Sequence, residues 1–176
     1  MRIFLIGMPG SGKSYWARQV GELLHYRQVD MDHVIEAREG SSIPQLFQAG
    51  ETYFREKERE ALLAVLEQFA DKVVVATGGG APCYKDNLRL MKAAGCVIYL
   101  ETELEALLAN IEEQGLERPL LVNGNRQELA EKLSRLYRQR KEIYEQAHLK
   151  IDTGTANLST FAAALEQYLS DNNLSL

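Results

Sequence analysis

At 176 residues the chain has the length of one compact domain with a sizeable core, and two full domains would be a squeeze. Apolar residues make up 45% and charged ones 26%, a balance that excludes an intrinsically disordered chain. With 25 acidic against 20 basic side chains the net charge is −5, so no global positive field exists to hold nucleic acid or an anionic membrane, and any anionic ligand has to be caught locally by some of the 12 arginines and 8 lysines.

Taken in chain order, short apolar runs alternate with segments of helix length. Residues 3–6 read as a buried strand closed by Gly7, and 13–24 as a helix. A weaker strand candidate at 27–30 precedes a helix over 32–39. Ser42 and Gln45 have the spacing of a capping box, in which each side chain satisfies an orphan backbone donor of a helix's first turn. A long helix is predicted over 51–69, with Ala61, Leu62, Val65, Leu66 and Phe69 as its apolar stripe and with Arg55, Lys57, Glu58 and Arg59 making its first half charged.

The pattern continues with a strand at 72–76, a helix at 85–94 and a strand at 96–100. Thr102 and Glu105 suggest a second capping box, opening a helix over 103–112. Gly115, Pro119 and Gly124 mark an irregular loop, followed by a helix over 127–147, a weak strand at 148–152 and a last helix at 158–169. Strand and helix in alternation predict an α/β protein whose parallel sheet is covered on both faces. Cys83 and Cys96 have no metal-ligand spacing and are expected to be reduced thiols; with no targeting or membrane-spanning run, a cytoplasmic protein is expected.

Gly7-Met8-Pro9-Gly10-Ser11-Gly12-Lys13-Ser14 fits the pattern G-x-x-x-x-G-K-[ST], placed after a predicted strand and before a predicted helix. In such a P-loop, glycines let successive backbone N–H groups curl around phosphate oxygens, the helix N-terminus adds its positive dipole end, and the lysine reaches the β and γ phosphates. The serine hydroxyl suits Mg²⁺. The motif alone does not separate a small-molecule kinase from a non-catalytic nucleotide-binding switch. Switch proteins place an aspartate at the end of an apolar strand, whereas 73–76 is followed by Thr77 and three glycines. Asp30 and Asp32, two positions apart, are the best acidic candidates, and a helix cap is an alternative role for them.

Behind the P-loop follow Asp30-Met31-Asp32, Gly40-Ser41-Ser42-Ile43, Gly50-Glu51 with Phe54-Arg55 and Glu58, Ala76-Thr77-Gly78-Gly79-Gly80, Arg118-Pro119-Leu120-Leu121, and Arg140 with Tyr144. In this order and spacing, over residues 3–153, the sequence resembles shikimate kinase. The resemblance implies a three-layer P-loop kinase fold: a five-stranded parallel sheet, order 2-3-1-4-5, with helices on both faces. It also implies a single domain over 1–176, with a substrate-binding helical segment at about 32–60 and a lid at about 112–125. The expected reaction moves the γ-phosphate of ATP, with Mg²⁺, to the 3-hydroxyl of shikimate, a step of chorismate and aromatic amino-acid biosynthesis, in a monomer. A kinase for another hydroxylated acid or a nucleotide is the alternative.

The resemblance also implies roles for single residues. Gly10, Ser11, Gly12, Lys13, Ser14 and Tyr15 bind ATP, with Ser14 and Asp30 on the metal. Arg55 and Arg140 clamp the carboxylate of shikimate, Glu58 holds Arg55, and the amides of Gly78, Gly79 and Gly80 donate to the substrate. Asp32 contacts the reacting hydroxyl, and Arg118 closes with the lid over the transferring phosphate, so that Asp32, Lys13 and Arg118 are the catalytic set. Taken singly, each arginine reads as a surface ion-pair partner, and Arg59, Arg135 and Arg138 keep that reading. The chain departs from the family's pattern in three places: Asn110 and Ile111 stand where many members have an arginine, beside an acidic lid with Glu112, Glu113 and Glu117; Lys141 and Glu142 follow Arg140 where a proline is frequent, so the helix is expected to run through it; and the adenine-side segment 152–157 does not match the family's.

Overall fold

A computed structural model describes residues 1–114 and 126–174 of the chain. Its sheet consists of β1 (Arg2–Ile6), β2 (Arg27–Asp30), β3 (Val73–Ala76), β4 (Cys96–Glu101) and β5 (Leu149–Asp152), in the spatial order β2-β3-β1-β4-β5. Every neighbouring pair is parallel, with Phe4 of β1 opposite Val75 on one side and Val97 on the other. The inner strands are apolar without interruption because both of their faces are covered. Burying each of their valine, leucine and isoleucine side chains is worth roughly 1.5–3 kcal/mol relative to leaving it in water.

The helices are α1 (Lys13–Leu24), α2 (Met31–Glu39), α3 (Ile43–Gln48), α4 (Glu51–Gln68), α5 (Asn87–Ala94), α6 (Leu104–Gln114), α7 (Arg126–Tyr144) and α8 (Leu158–Asp171). Alternation along the strands sorts them into two layers. Ile3, Leu5, Val74 and Ile98 face α1 and α8, where Trp16 stacks on Phe161 at 5.1 Å between ring centres. Phe4, Val73, Val75, Val97 and Tyr99 face the other layer, against Leu62 and Val65 of α4, Met91 of α5, Leu107 of α6, and Leu133 and Tyr144 of α7.

The chain leaves β1 for β2 and β3 on one side and only later crosses to β4 and β5 on the other. Strand order therefore reverses about β1, and the crevice where α/β proteins take ligands lies at the carboxyl ends of β1, β3 and β4. At the opposite end Arg2 ties the layer together. Its guanidinium donates to Phe69 O (2.5 Å) and Leu66 O (2.9 Å) at the end of α4, and to Ala94 O (3.2 Å) at the end of α5. A cation among these terminal carbonyls satisfies orphan acceptors and opposes two helix dipoles at once.

As its spacing with Gln45 predicts, Ser42 opens a helix, the short α3, in which Gln45 Oε1 accepts from the Ser42 N–H at 2.9 Å. The structure differs from the sequence expectations in three places. The Thr102–Glu105 box does not form: α6 starts at Leu104, the Thr102 hydroxyl meets that of Thr153 at 2.7 Å, and Glu105 pairs with Arg126. A short 3-10 turn, Ala81–Cys83, and a left-handed Lys85 (φ 48°) delay α5 to Asn87. The first half of α4, charged in sequence, is not a solvated end, because Arg55 and Glu58 are buried. As expected, α7 runs unbroken through Arg140. Both cysteines are free thiols.

Candidate active site

The loop between β1 and α1 turns through residues that only glycine tolerates there. Gly10 has φ 83°, and a Cβ on it would lie 2.9 Å from Ile111 Cγ1 and 3.0 Å from Leu107 O. From α6, Asn110 Nδ2 donates to Gly10 O at 2.8 Å, so the side chain standing where an arginine is frequent braces the loop instead. Lys13 is buried, its ammonium donating to Gly7 O (3.0 Å) and Met8 O (2.8 Å) at the loop's mouth. Ser11 is buried inside the loop, with its N–H on Met8 O at 3.2 Å. A cavity of about 70 Å³ is lined by Gly10, Gly12, Lys13, Ser14, Tyr15, Asp30, Asp32 and Thr77.

Asp30 and Asp32 do not alternate along a strand. Asp30 is the N-cap of α2 and Asp32 already lies in its first turn, so the helix begins at Met31. One Asp30 oxygen accepts from the Asp32 N–H at 3.0 Å, while the other accepts from the Ser14 hydroxyl at 2.5 Å. Capping and a second role therefore share one carboxylate. Two hard oxygen donors meeting beside a phosphate loop match what Mg²⁺ takes from a protein, since that ion draws most of its ligands from phosphate and water. Among the described residues no cluster of three or more His, Cys, Asp or Glu side chains forms a closed metal cage.

A second cavity, of about 330 Å³, is lined by Glu51, Thr52, Arg55, Gly80, Cys83, Tyr84 and Arg140. Arg55 projects from α4, where its Nη1 donates to Glu58 Oε2 at 2.7 Å and its Nη2 to Glu51 Oε1 at 3.3 Å. The guanidinium also lies 5.6 Å from the Phe47 ring centre and 5.1 Å from that of Phe54. Burial alone would lower its pKa, but pairing with Glu58 and Glu51 outweighs burial and keeps the group above its ordinary range, firmly charged. Arg140 arrives from α7 on the other side of the cavity, also buried. Two guanidinium forks and a glycine backbone line one cavity, an arrangement that suits a carboxylate.

Glu58 is 1% exposed, and burial pushes its carboxyl pKa up despite the pull of Arg55. Its Oε1 is buried with no hydrogen-bond partner among the described residues. That oxygen lies 2.1 Å from where a Cβ on Gly78 would be, and Asp32 Oδ1 lies 3.8 Å from the same point. Gly78 thus sits between Asp32, which lines the first cavity, and Glu58, the partner of Arg55 in the second. Gly79 packs on the phosphate loop, its notional Cβ 3.1 Å from Pro9 Cδ and 3.2 Å from Gly7 O, and a Cβ on Gly80 would meet the Arg55 guanidinium at 2.4–2.6 Å. The three glycines are therefore required by close packing within the protein. No described acceptor takes the N–H of Gly78, Gly79 or Gly80.

The residues singled out from sequence fall into two groups that share one crevice. Gly10, Gly12, Lys13, Ser14, Tyr15, Asp30 and Asp32 surround the phosphate cavity, and Arg55, Arg140 and Gly80 surround the second, with Glu58, Gly78 and Gly79 between or behind them. Arg118 and most of the segment expected as a lid lie outside the described residues. Arg59 holds Asp86 and Asn87, the ion-pair role expected of it. Sequence reasoning missed Thr52, Cys83 and Tyr84 in the second cavity and Thr77 in the first. The signal for Cys83 and Tyr84 was Pro82, whose 3-10 turn brings the chain back to the crevice after three glycines.

Comparison with known proteins agrees with this geometry. The sequence model of the shikimate kinase family matches residues 9–170. A shikimate kinase of Clostridium botulinum (strain 657) is 43% identical over 148 residues, covering 83% of this chain and 84% of its own length. The structure of shikimate kinase from Acinetobacter baumannii, in complex with shikimate, superposes with a TM-score of 0.86 at 34% identity, covering 99% of this chain and 95% of that one. That of the Bacteroides thetaiotaomicron shikimate kinase also gives 0.86, at 30% identity and 99% of each chain.

Proposed function

Since the chain belongs to the shikimate kinase family, we propose that its two cavities are the two halves of one phosphoryl-transfer site, ATP on the P-loop and shikimate between Arg55 and Arg140. The reaction converts ATP and shikimate to ADP and shikimate 3-phosphate, a step of aromatic amino-acid biosynthesis. The observation that carries the assignment of halves is the pair of buried guanidinium groups on one cavity, with Glu58, the partner of Arg55, separated from Asp32 of the phosphate cavity only by Gly78.

In this arrangement the loop amides and Lys13 hold the phosphates, and the acceptor's carboxylate takes the forks of Arg55 and Arg140. Binding energy from that carboxylate, remote from the reacting atoms, fixes the ring so that its 3-hydroxyl faces the γ-phosphorus. The unpartnered Oε1 of Glu58 accepts from a ring hydroxyl, and Asp32 orients the reacting one. The bond to the hydroxyl oxygen forms as the bond to the bridging oxygen of ADP breaks. Because the transition state is loose, the hydroxyl proton passes to Asp32 late and positioning supplies most of the catalysis. Ser14 and Asp30 would hold Mg²⁺, Asp30 through a coordinated water, and the ion would neutralise charge on the phosphate oxygens. Arg118 is assigned to the transferring phosphate. A monomer suffices, because residues of one chain line both cavities.

Steady-state kinetics of Arg140→Ala test the assignment of halves. Losing a charge-assisted fork is expected to raise the KM for shikimate roughly 10- to 100-fold while the KM for ATP stays within about twofold. An equal rise in both would place Arg140 outside the acceptor half.

A further inference from the structure

Tyr144 is buried in α7, one helical turn beyond Arg140 and on the same side of the helix. Its ring stacks on Tyr99 of β4, with ring centres 5.2 Å apart. A tyrosine in such a place is an ordinary core residue as far as its ring is concerned. Its hydroxyl is not ordinary, because it donates to Gly79 O at 2.5 Å and lies 3.9 Å from Met8 Sδ of the phosphate loop. One oxygen thus touches the glycine turn and the P-loop together, and the Arg140 guanidinium is its charged neighbour.

The consequence follows from peptide geometry. The carbonyl of Gly79 and the N–H of Gly80 belong to one rigid trans peptide and point in opposite directions across it. Whatever fixes the carbonyl fixes the amide. Gly80 lines the acceptor cavity, its backbone lies against the Arg55 guanidinium, and its N–H has no described acceptor within the protein. The flanking carbonyls of Gly78 and Gly80 are held by the N–H groups of Ala81 and Cys83, and the Tyr144 hydroxyl is the anchor on the carbonyl between them.

We propose that Tyr144 is a positioning residue for the acceptor: its hydroxyl draws the Gly79 carbonyl towards α7 and thereby turns the Gly80 N–H into the acceptor cavity beside Arg55. Because Arg140 and Tyr144 project from one helix turn, the same rigid element sets both the charged fork and the amide donor. The inference rests on the assignment of that cavity to shikimate. It goes beyond the side chains that touch the substrate by naming what holds the amide in place.

The test is Tyr144→Phe, which keeps the ring and its stack on Tyr99, assayed beside the unmodified enzyme and beside Leu165→Ala, a core variant in the opposite layer. Steady-state kinetics and thermal unfolding are measured for all three. Tyr144→Phe is expected to raise the KM for shikimate about tenfold, the effect of one hydrogen bond, with the KM for ATP within about twofold. Leu165→Ala is expected to lower the unfolding temperature at least as much and to move neither KM. An unchanged shikimate KM in Tyr144→Phe, or a matching rise for ATP, would overturn the positioning role while leaving the activity intact. An unmodified enzyme idle with shikimate would overturn the cavity assignment as well.

Discussion

Asp30 caps α2 and Asp32 lies in its first turn, and one backbone amide and one hydroxyl divide the two oxygens of Asp30 between them. The positive end of the α2 dipole favours carboxylates at this helix N-terminus, next to the phosphate loop. Asp32 lines the phosphate cavity and approaches Gly78, on whose other flank lies Glu58. Asp32→Asn keeps the shape and removes the base. Turnover is expected to fall by the ~10²–10⁴-fold range of acid–base groups, with the KM for ATP nearly unchanged. Steady-state kinetics with both substrates varied would show it, and unimpaired turnover would remove Asp32 from the mechanism. Arg55 and Arg140 were legible in the sequence only through the motifs around them, since a lone arginine reads as a surface ion pair. The burial of Glu58 and its unpartnered oxygen were not legible, because a glutamate three residues from an arginine looks the same on a solvated helix face.

At the scale of elements, all five strands lie where the sequence places them, β1, β3 and β4 from their apolar runs and β2 and β5 from weaker signals, and their order agrees with the one implied by the family resemblance. The helix boundaries that moved did so for tertiary reasons. Thr102 prefers a hydroxyl partner on the neighbouring β5 side, and Arg126 of α7 takes Glu105 and Glu112 of α6. Neither partner is near in sequence, so spacing rules favoured a local box that does not form. Arg2 is a clearer case: nothing around it in sequence announces a residue that closes two helix ends. Arg2→Ala is expected to cost roughly 2 kcal/mol of unfolding free energy through the loss of charged hydrogen bonds and helix-end compensation. Chemical denaturation reads this directly, and both KM values should stay where they are. A variant as stable as the original would mean that water replaces the guanidinium without loss.

For the molecule as a whole, a net charge of −5 sets the problem of binding two anionic substrates. In the proposed site the answer is concentration: Lys13, Arg55 and Arg140 are all buried, where a lower dielectric strengthens their attraction for anions. The reversal of strand order about β1 puts the P-loop at the centre of the crevice, and the glycine turn after β3 packs on that loop through Gly79 and on Arg55 through Gly80. The overall architecture was readable from alternation and motif order because those signals are local. How closely the two halves touch was not, since it depends on Gly78 and Gly79 packing against residues far away in the chain.

The most direct measurement is ADP release from Mg²⁺-ATP, followed with shikimate, gluconate or a nucleoside monophosphate as acceptor and with no acceptor. The expected result is ADP formation that requires shikimate and matches the shikimate 3-phosphate formed mole for mole, with the other acceptors close to the background rate. Robust turnover of gluconate or a nucleotide without shikimate-dependent release would contradict it.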